Sequence, residues 1–206
     1  MLHSHLTTSN AVSLVLQAFR NQGLDEDALL EGSGISPADL GRADPRITTR
    51  QEMLVCANAV ARRREIGLEL GRRMHVSSYG MLGYALLSSA TLGDALRLAL
   101  RYPALLGTLF HLRLIEDGER IWFSASDYRE EPQLAAFSAE FCLTSLKVIC
   151  DDLLGRPLPL LGARFAHPTP DYHPLYSDPF TCPLRFDADD NAFAFDRTLL
   201  QQPLPL

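Results

Sequence analysis

Residues 108–126, TLFHLRLIEDGERIWFSAS, commit part of this chain to an antiparallel sheet. Apolar and polar residues alternate on both sides of Asp117-Gly118, and a two-residue hairpin turn needs the positive φ values that Asp-Gly supplies. With Asp117 and Gly118 at the tip, Leu114 faces Ile121, Leu112 faces Phe123 and Phe110 faces Ala125, forming a core side. The other side pairs Arg113 with Trp122 and His111 with Ser124, and sets Leu109 opposite Ser126. It is neither plainly apolar nor plainly solvated.

Elements on either side of the hairpin are helical. Thr48 and Gln51 form a capping-box pattern before Met53, Leu54, Ala57, Val60 and Ala61. Upstream, Val12, Leu14, Val15, Leu16 and Phe19 predict an amphipathic helix ending near Gly23, with short helices at 25–30 and 36–40. Ser78 can cap a helix rich in Gly and Ala that carries so few charges that burial is expected. Thr91 and Asp94 cap a partner helix that stops before Pro103. Pro132 fits the first turn of a long helix that buries Leu134, Phe137, Phe141, Leu146, Ile149 and Leu153 and ends at Gly155. Its stripe of Glu140, Thr144, Lys147 and Asp151 is expected to face solvent. A strand is predicted over 163–167. Alternation then predicts strands around Leu184–Phe186 and Ala192–Asp196, with Asx turn chemistry between them. The tail, with Leu200, Leu204 and Leu206 among Pro203 and Pro205, reads as the start of a linker to a further segment. The fold expected is α+β, a helical N-terminal half packed on a mainly antiparallel sheet, in one domain whose helical part is 1–66 and whose helices plus sheet are 67–206.

Composition narrows the function. The 206 residues are 47% hydrophobic and 21% charged, with a formal net charge of −6, which argues against independent binding to a phosphate backbone. The basic runs Arg62-Arg63-Arg64 and Arg72-Arg73 sit toward helix ends, where cations suit the dipole. Cys56, Cys142, Cys150 and Cys182 make no CxxC pair. Cys142 and Cys150 lie ~12 Å apart along one helix, too far for a disulfide, so they read as core thiols in a reducing compartment. The N-terminus lacks a signal-peptide pattern and no apolar run approaches the ~20 residues of a membrane span. A cytoplasmic location is expected.

Two ordered patterns carry a resemblance. In residues 66–106 they are Gly67, Leu70, Gly71, Gly80, Gly83, Tyr84, Ser88, Thr91, Leu92, Ala95, Leu96, Arg101 and Tyr102. Toward the end they are Tyr176, Phe180, Pro183, Phe186, Asn191, Phe195, Leu199 or Leu200, and Pro203. Together they resemble the N-terminal sensor (arabinose-binding-like) domain of one branch of AraC-type transcription regulators. The resemblance implies an effector-sensing and oligomerising domain, a homodimer, and a helix-turn-helix DNA-binding domain C-terminal to residue 206, so that DNA is reached only through that domain. It implies effectors of varied chemistry, including amino acids and lipids.

No GxSxG elbow, P-loop, HExxH or dinucleotide fingerprint occurs, so neither an enzyme nor a cofactor is expected. His3 and His5 could form an HxH metal pair but lie on an unanchored terminus, and no metal site is expected. His167 and His173 flank a polar loop, and the adjacent Asp151 and Asp152 point apart on a helix surface. The candidate ligand-binding residues are His111, Arg113, Trp122 and Ser124 on the mixed hairpin face, with Tyr79 and Tyr84 on the glycine-rich helix in second rank. A few placed polar groups on an apolar wall suit a small effector held between helices and sheet, and Arg113 points to an anionic group. The competing readings are a solvated face with Arg113 stacked on Trp122, and buried tyrosines serving only packing. At the level of the whole domain the alternative is an effector-independent dimerisation or partner-binding platform.

Overall fold

The computed structural model describes residues 6–7, 10–20, 23, 25–41 and 47–205. His3 and His5 lie outside them. The chain divides into two compact units, residues 1–66 and 67–206.

In the first unit β1 (Leu6–Thr7) pairs antiparallel with β2 (Ile47–Thr48). This short ladder is an addition to the all-helical expectation. Helix α1 (Asn10–Arg20) buries Val12, Val15, Leu16, Ala18 and Phe19. Asp25 caps α2 (Glu26–Leu30), Ser36 and Asp39 form a capping box on α3 (Pro37–Leu40), and Thr48 with Gln51 does the same on α4 (Thr49–Val60). Each box satisfies two backbone donors that a helix start leaves open.

The second unit opens with α5 (Ile66–Arg72) and a 3₁₀ turn at Val76–Tyr79 that runs into α6 (Gly80–Leu87). Ser78 does not cap α6: the turn starts one residue after His75, and neither N-cap residue, His75 or Tyr79, makes a side-chain cap. Thr91 caps α7 (Leu92–Arg101) by accepting from Asp94 N, and Pro103 starts the short α8 (Pro103–Leu106). Strands β3 (His111–Asp117) and β4 (Arg120–Ser126) lead to α9 (Ala135–Leu154), then β5 (Gly162–Arg164), β6 (Leu184–Arg185) and β7 (Asn191–Asp196). Gly155 ends α9 with a left-handed φ of 64°, a conformation that suits a residue without Cβ.

These strands form one sheet in the order β3-β4-β7-β5-β6, antiparallel except for β5 and β6. The hairpin turn sits one residue later than predicted. Asp117 pairs with Arg120, Leu114 with Phe123, Arg113 with Ser124 and Ile115 with Trp122. Gly118 alone takes positive φ, at 60°, which suits the first central position of a II′ turn. The register therefore shifts by two residues, and a shift of two leaves every side chain on its predicted face.

One face of the sheet closes on α9. Ile121, Phe123, Phe193 and Phe195 meet Leu143, Leu146, Ile149 and Cys150 in a single buried cluster. Pro132–Leu154 is long and apolar enough to cross a bilayer, contrary to the sequence reading, yet 67% of that window is buried inside the protein. It is the central helix of a packed core.

Three further expectations are corrected. Glu140, Thr144 and Lys147 are buried and Asp151 is half-buried, because the glycines of α5 bring that helix onto the same stripe. A Cβ on Gly67 would stand 2.8 Å from Glu140 Oε2, and one on Gly71 2.7 Å from Thr144 Cβ. Conversely α6 buries only Leu82, Gly83 and Leu86 and leaves Met81, Tyr84 and Leu87 exposed. Gly83 supplies the close approach, since its Cβ would meet Val76 O at 2.1 Å, while the opposite side of the helix stays open. The tail read as a linker is docked: Leu92 N donates to Gln202 O at 3.0 Å, Leu204 N to Ala90 O at 3.2 Å, and Leu204 is buried.

Candidate functional site

Strand alternation places Arg113, Trp122, Ser124 and Ser126 on the face of the sheet turned away from α9, and the register sets Ala192, Ala194, Gly162 and Arg164 beside them. Arg185 pairs with Arg164 on the parallel neighbour. The loop before β7 brings in Ala188, Asp189 and Asp190. With Arg113, Ser126, Asp127, Arg164 and Arg185 these loop residues line an open cleft of about 400 Å³.

Asp190 is the hub. Arg164 donates to its carboxylate through Nε at 2.5 Å and Nη2 at 3.1 Å, and Ser124 Oγ donates at 2.5 Å. Burial pushes the Asp190 carboxyl up, but those hydrogen bonds, with the charges of Arg164 and Arg113, outweigh it and hold it below its ordinary value. The Arg164 guanidinium also lies 4.1 Å from the centre of the Trp122 ring, a cation–π contact. Trp122 Nε1 donates to Asp117 Oδ2 at 3.4 Å.

The other two arginines are less committed. Arg113 Nη2 donates to Ser126 Oγ at 3.2 Å, and Ser126 Oγ to Asp127 Oδ2 at 3.1 Å. Neither Arg113 nor Arg185 forms an ion pair with a carboxylate among the described residues. With Arg164 and Asp190 neutralising each other, the cleft presents two arginine forks and the carboxylates of Asp127 and Asp189. Planar forks of this kind match a carboxylate in two-point fashion, and the aspartates accept from an ammonium.

The structure thus sets Arg113, Trp122, Ser124 and His111 on one face, but of the four only Arg113 lines the cleft: Ser124 is buried beneath it on Asp190, Trp122 borders the neighbouring hollow, and His111 is exposed opposite Ser126. It separates the two tyrosines. Tyr79 packs against the core under α9, where burial pushes its hydroxyl up to about 12 despite a hydrogen bond with Ser145. Tyr84 is 71% exposed on α6. Sequence reasoning missed Arg164, Arg185 and Asp190. Arg164 between Ala163 and Phe165, and Arg185 between Leu184 and Phe186, did carry the period-two signal for a polar face.

A second polar cluster lies on the α9 side. The fully buried Glu140 accepts from Tyr172 OH at 2.7 Å and, through the same Oε1, from Tyr176 OH. Burial, then Glu140 beside it, raises the Tyr176 hydroxyl far above its ordinary value, so it remains a donor. His167 Nε2 stands 3.3 Å from Tyr176 OH. Burial holds His167 below its usual value. The aspartates read as helix surface are tied in as well. Asp151 accepts from Lys147 Nζ at 2.6 Å and Leu158 N at 2.7 Å, and Asp152 from Val76 N at 2.9 Å. Burial raises all four thiols, Cys182 to about 11 and Cys142 to about 12, as fits inert core cysteines. Among the described residues no cluster of His, Cys, Asp and Glu could hold a metal ion.

The charged cleft and the buried polar cluster thus lie on opposite faces of one helix-backed sheet. The chain belongs to the family of arabinose-binding domains of AraC transcription regulators, N-terminal, whose model matches residues 23–204. It is 29% identical over 194 residues to the ornithine utilization regulator of Pseudomonas aeruginosa, covering 93% of this chain and 57% of that protein. It is 28% identical over 112 residues to uncharacterized HTH-type transcriptional regulators of Mycobacterium bovis and Mycobacterium tuberculosis, covering 53% of this chain and 33% of each. The solved structure of the transcriptional regulator CdpR from Pseudomonas aeruginosa shares the fold, with a TM-score of 0.67 at 20% identity over 97% of this chain and 59% of that one. The chain spans less than three-fifths of the length of these relatives. They are regulators, and none is named as an enzyme.

Proposed function

We propose that this domain senses a small amino-acid-type effector in the outer cleft and passes its occupancy to a helix-turn-helix DNA-binding domain C-terminal to residue 206. The observation that carries the reading is the pair Arg113 and Arg185, two guanidinium groups on one cleft without a carboxylate partner among the described residues. They hold the effector carboxylate, and Asp127 and Asp189 accept from its ammonium. The name of the ornithine utilization regulator supports an amino acid as the signal. Unequal affinity of the effector for two domain arrangements biases the DNA-binding half, which requires no covalent chemistry. The regulator works in the cytoplasm as a homodimer, and DNA is contacted only by the second domain. The sequence candidates His111, Trp122 and Ser124 act here as rim and support, and Tyr79 and Tyr84 take no part.

A thermal-shift series tests this. Amino acids should raise the melting midpoint by several degrees at ~100 times their Kd. Putrescine, which lacks the carboxylate, and succinate, which lacks the ammonium, should not. Equal shifts from all three, or none from any amino acid, would sink the reading. The platform alternative draws on one observation, the exposed Met81, Tyr84 and Leu87 of α6, and predicts association that is indifferent to every small molecule.

A further inference from the structure

Beside the charged cleft, on the other side of the Trp122–Arg164 stack, lies a second hollow of about 240 Å³. It shares Arg164 and Arg185 with the first cleft, so the two hollows are neighbours across the same pair of strands. Its walls are different in kind. Trp122, Leu161 and Pro183 supply apolar surface, with Leu161 42% exposed. The floor is Gly162, where an added Cβ would stand 3.7 Å from Trp122 Cη2 and 3.8 Å from Pro183 O. The lack of a side chain there keeps the hollow open.

We infer that this hollow is the side-chain pocket of the effector site, and that the effector is an amino acid with an apolar or aromatic side chain. The inference rests on the reading that the charged cleft holds the carboxylate and ammonium. Polar groups that fix orientation, next to an apolar wall that reads shape, form the usual division of labour in a small-molecule site. The charges of the hollow decide against a diamino acid. Arg120, Arg164 and Arg185 line it and no carboxylate does, so a second ammonium would enter next to cations with nothing to accept from it. An acidic side chain fits less well than an apolar one, because Arg164 is already engaged by Asp190 in two hydrogen bonds and the remaining wall offers hydrocarbon and a ring.

The test is isothermal titration of this chain with alanine, leucine, phenylalanine, ornithine and glutamate. Leucine or phenylalanine should bind about tenfold or more tighter than alanine, the gain from burying one apolar side chain. Ornithine and glutamate should gain nothing over alanine. Gly162→Val fills the floor with a residue that suits a strand, and should remove the advantage of the large side chains while leaving alanine within about twofold of wild type. Leu161→Gln, at a surface position, should weaken leucine and phenylalanine several-fold without disturbing the fold. Tightest binding by ornithine or glutamate would overturn the inference, as would alanine binding with no leucine advantage, or variants that weaken every amino acid alike. If none of the five binds, the charged-cleft reading itself fails and this one goes with it.

Discussion

The two faces of the five-stranded sheet are drawn from the same strands by the same alternation, yet they end in different states. On the α9 side the charged and amide groups meet partners inside the protein, though among the described residues Thr144 Oγ1 does not: Glu140 takes two tyrosine hydroxyls, Asp151 a lysine and a backbone amide, and Asn191 donates to Ala125 O and accepts from Ala166 N. On the outer side one ion pair is closed, that of Arg164 with Asp190, while Arg113 and Arg185 keep guanidinium capacity. A buried charge whose partners are in place is scaffold, since removing any member strands the rest. An exposed cation with capacity left over contributes little to folding and is available to a ligand. Stability and affinity should therefore respond to different faces.

The sharpest way to break that division is at its apolar extreme. Phe193 is fully buried and packs edge-on against Phe123, with ring centres 5.6 Å apart. Phe193→Ala should lower the unfolding free energy by about 3–5 kcal/mol in urea titrations. A loss of surface-mutation size would mean that the inner face is not the core of this unit. Next is Glu140→Gln, which keeps the shape but turns one acceptor into a donor among tyrosine hydroxyls. A cost of about 1–3 kcal/mol is expected, with effector affinity unchanged. A change in affinity without a change in stability would reverse the roles of the two faces.

Sequence alone made the faces legible but not the neighbours. The hairpin assignment survived a two-residue error in register because the side-chain period is two, so Leu112, Leu114, Phe123 and Ala125 still point to the core. The stripe of Glu140, Thr144 and Lys147 was misread because a helical period identifies which residues share a side and not what packs there. The answer lay some seventy residues upstream, in the spacing of Gly67 and Gly71 that lets α5 approach. The same limit hid the cleft. Arg164 and Arg185 each sat in an alternating run, but that β5 lies between β6 and β7, and so brings both beside Arg113, depends on pairings with no local signal. The low charge of α6 was read as burial, when only its Gly83 side is covered.

Smaller effects test the outer face. Asp190→Asn removes one member of the closed ion pair and should cost about 1 kcal/mol near neutral pH. It also carries a pH signature. The folded Asp190 carboxyl is held below its ordinary value, so its stabilisation is present above about pH 4 and is lost as pH falls through the folded value. The wild-type chain should therefore lose stability faster than Asp190→Asn on acidification below about pH 4, and the two curves should converge. Parallel curves would mean that Arg164 and Asp190 do not hold each other in solution.

The smallest stability effect belongs to Arg185→Ala. Its side chain is exposed and makes no ion pair among the described residues, so the unfolding free energy should stay within about 0.5 kcal/mol of wild type. If Arg185 supplies one of the two forks for the effector carboxylate, the same variant should weaken the amino-acid ligand by about tenfold, the size of one charge-assisted hydrogen-bonded contact. Arg185→Lys should recover only part of it, because an ammonium restores the charge and not the planar two-point geometry. The pair of readouts separates the faces more cleanly than either alone. Phe193→Ala should move stability and Arg185→Ala should move affinity, and a variant on the outer strand edge that moved stability instead would show that this face, too, is scaffold.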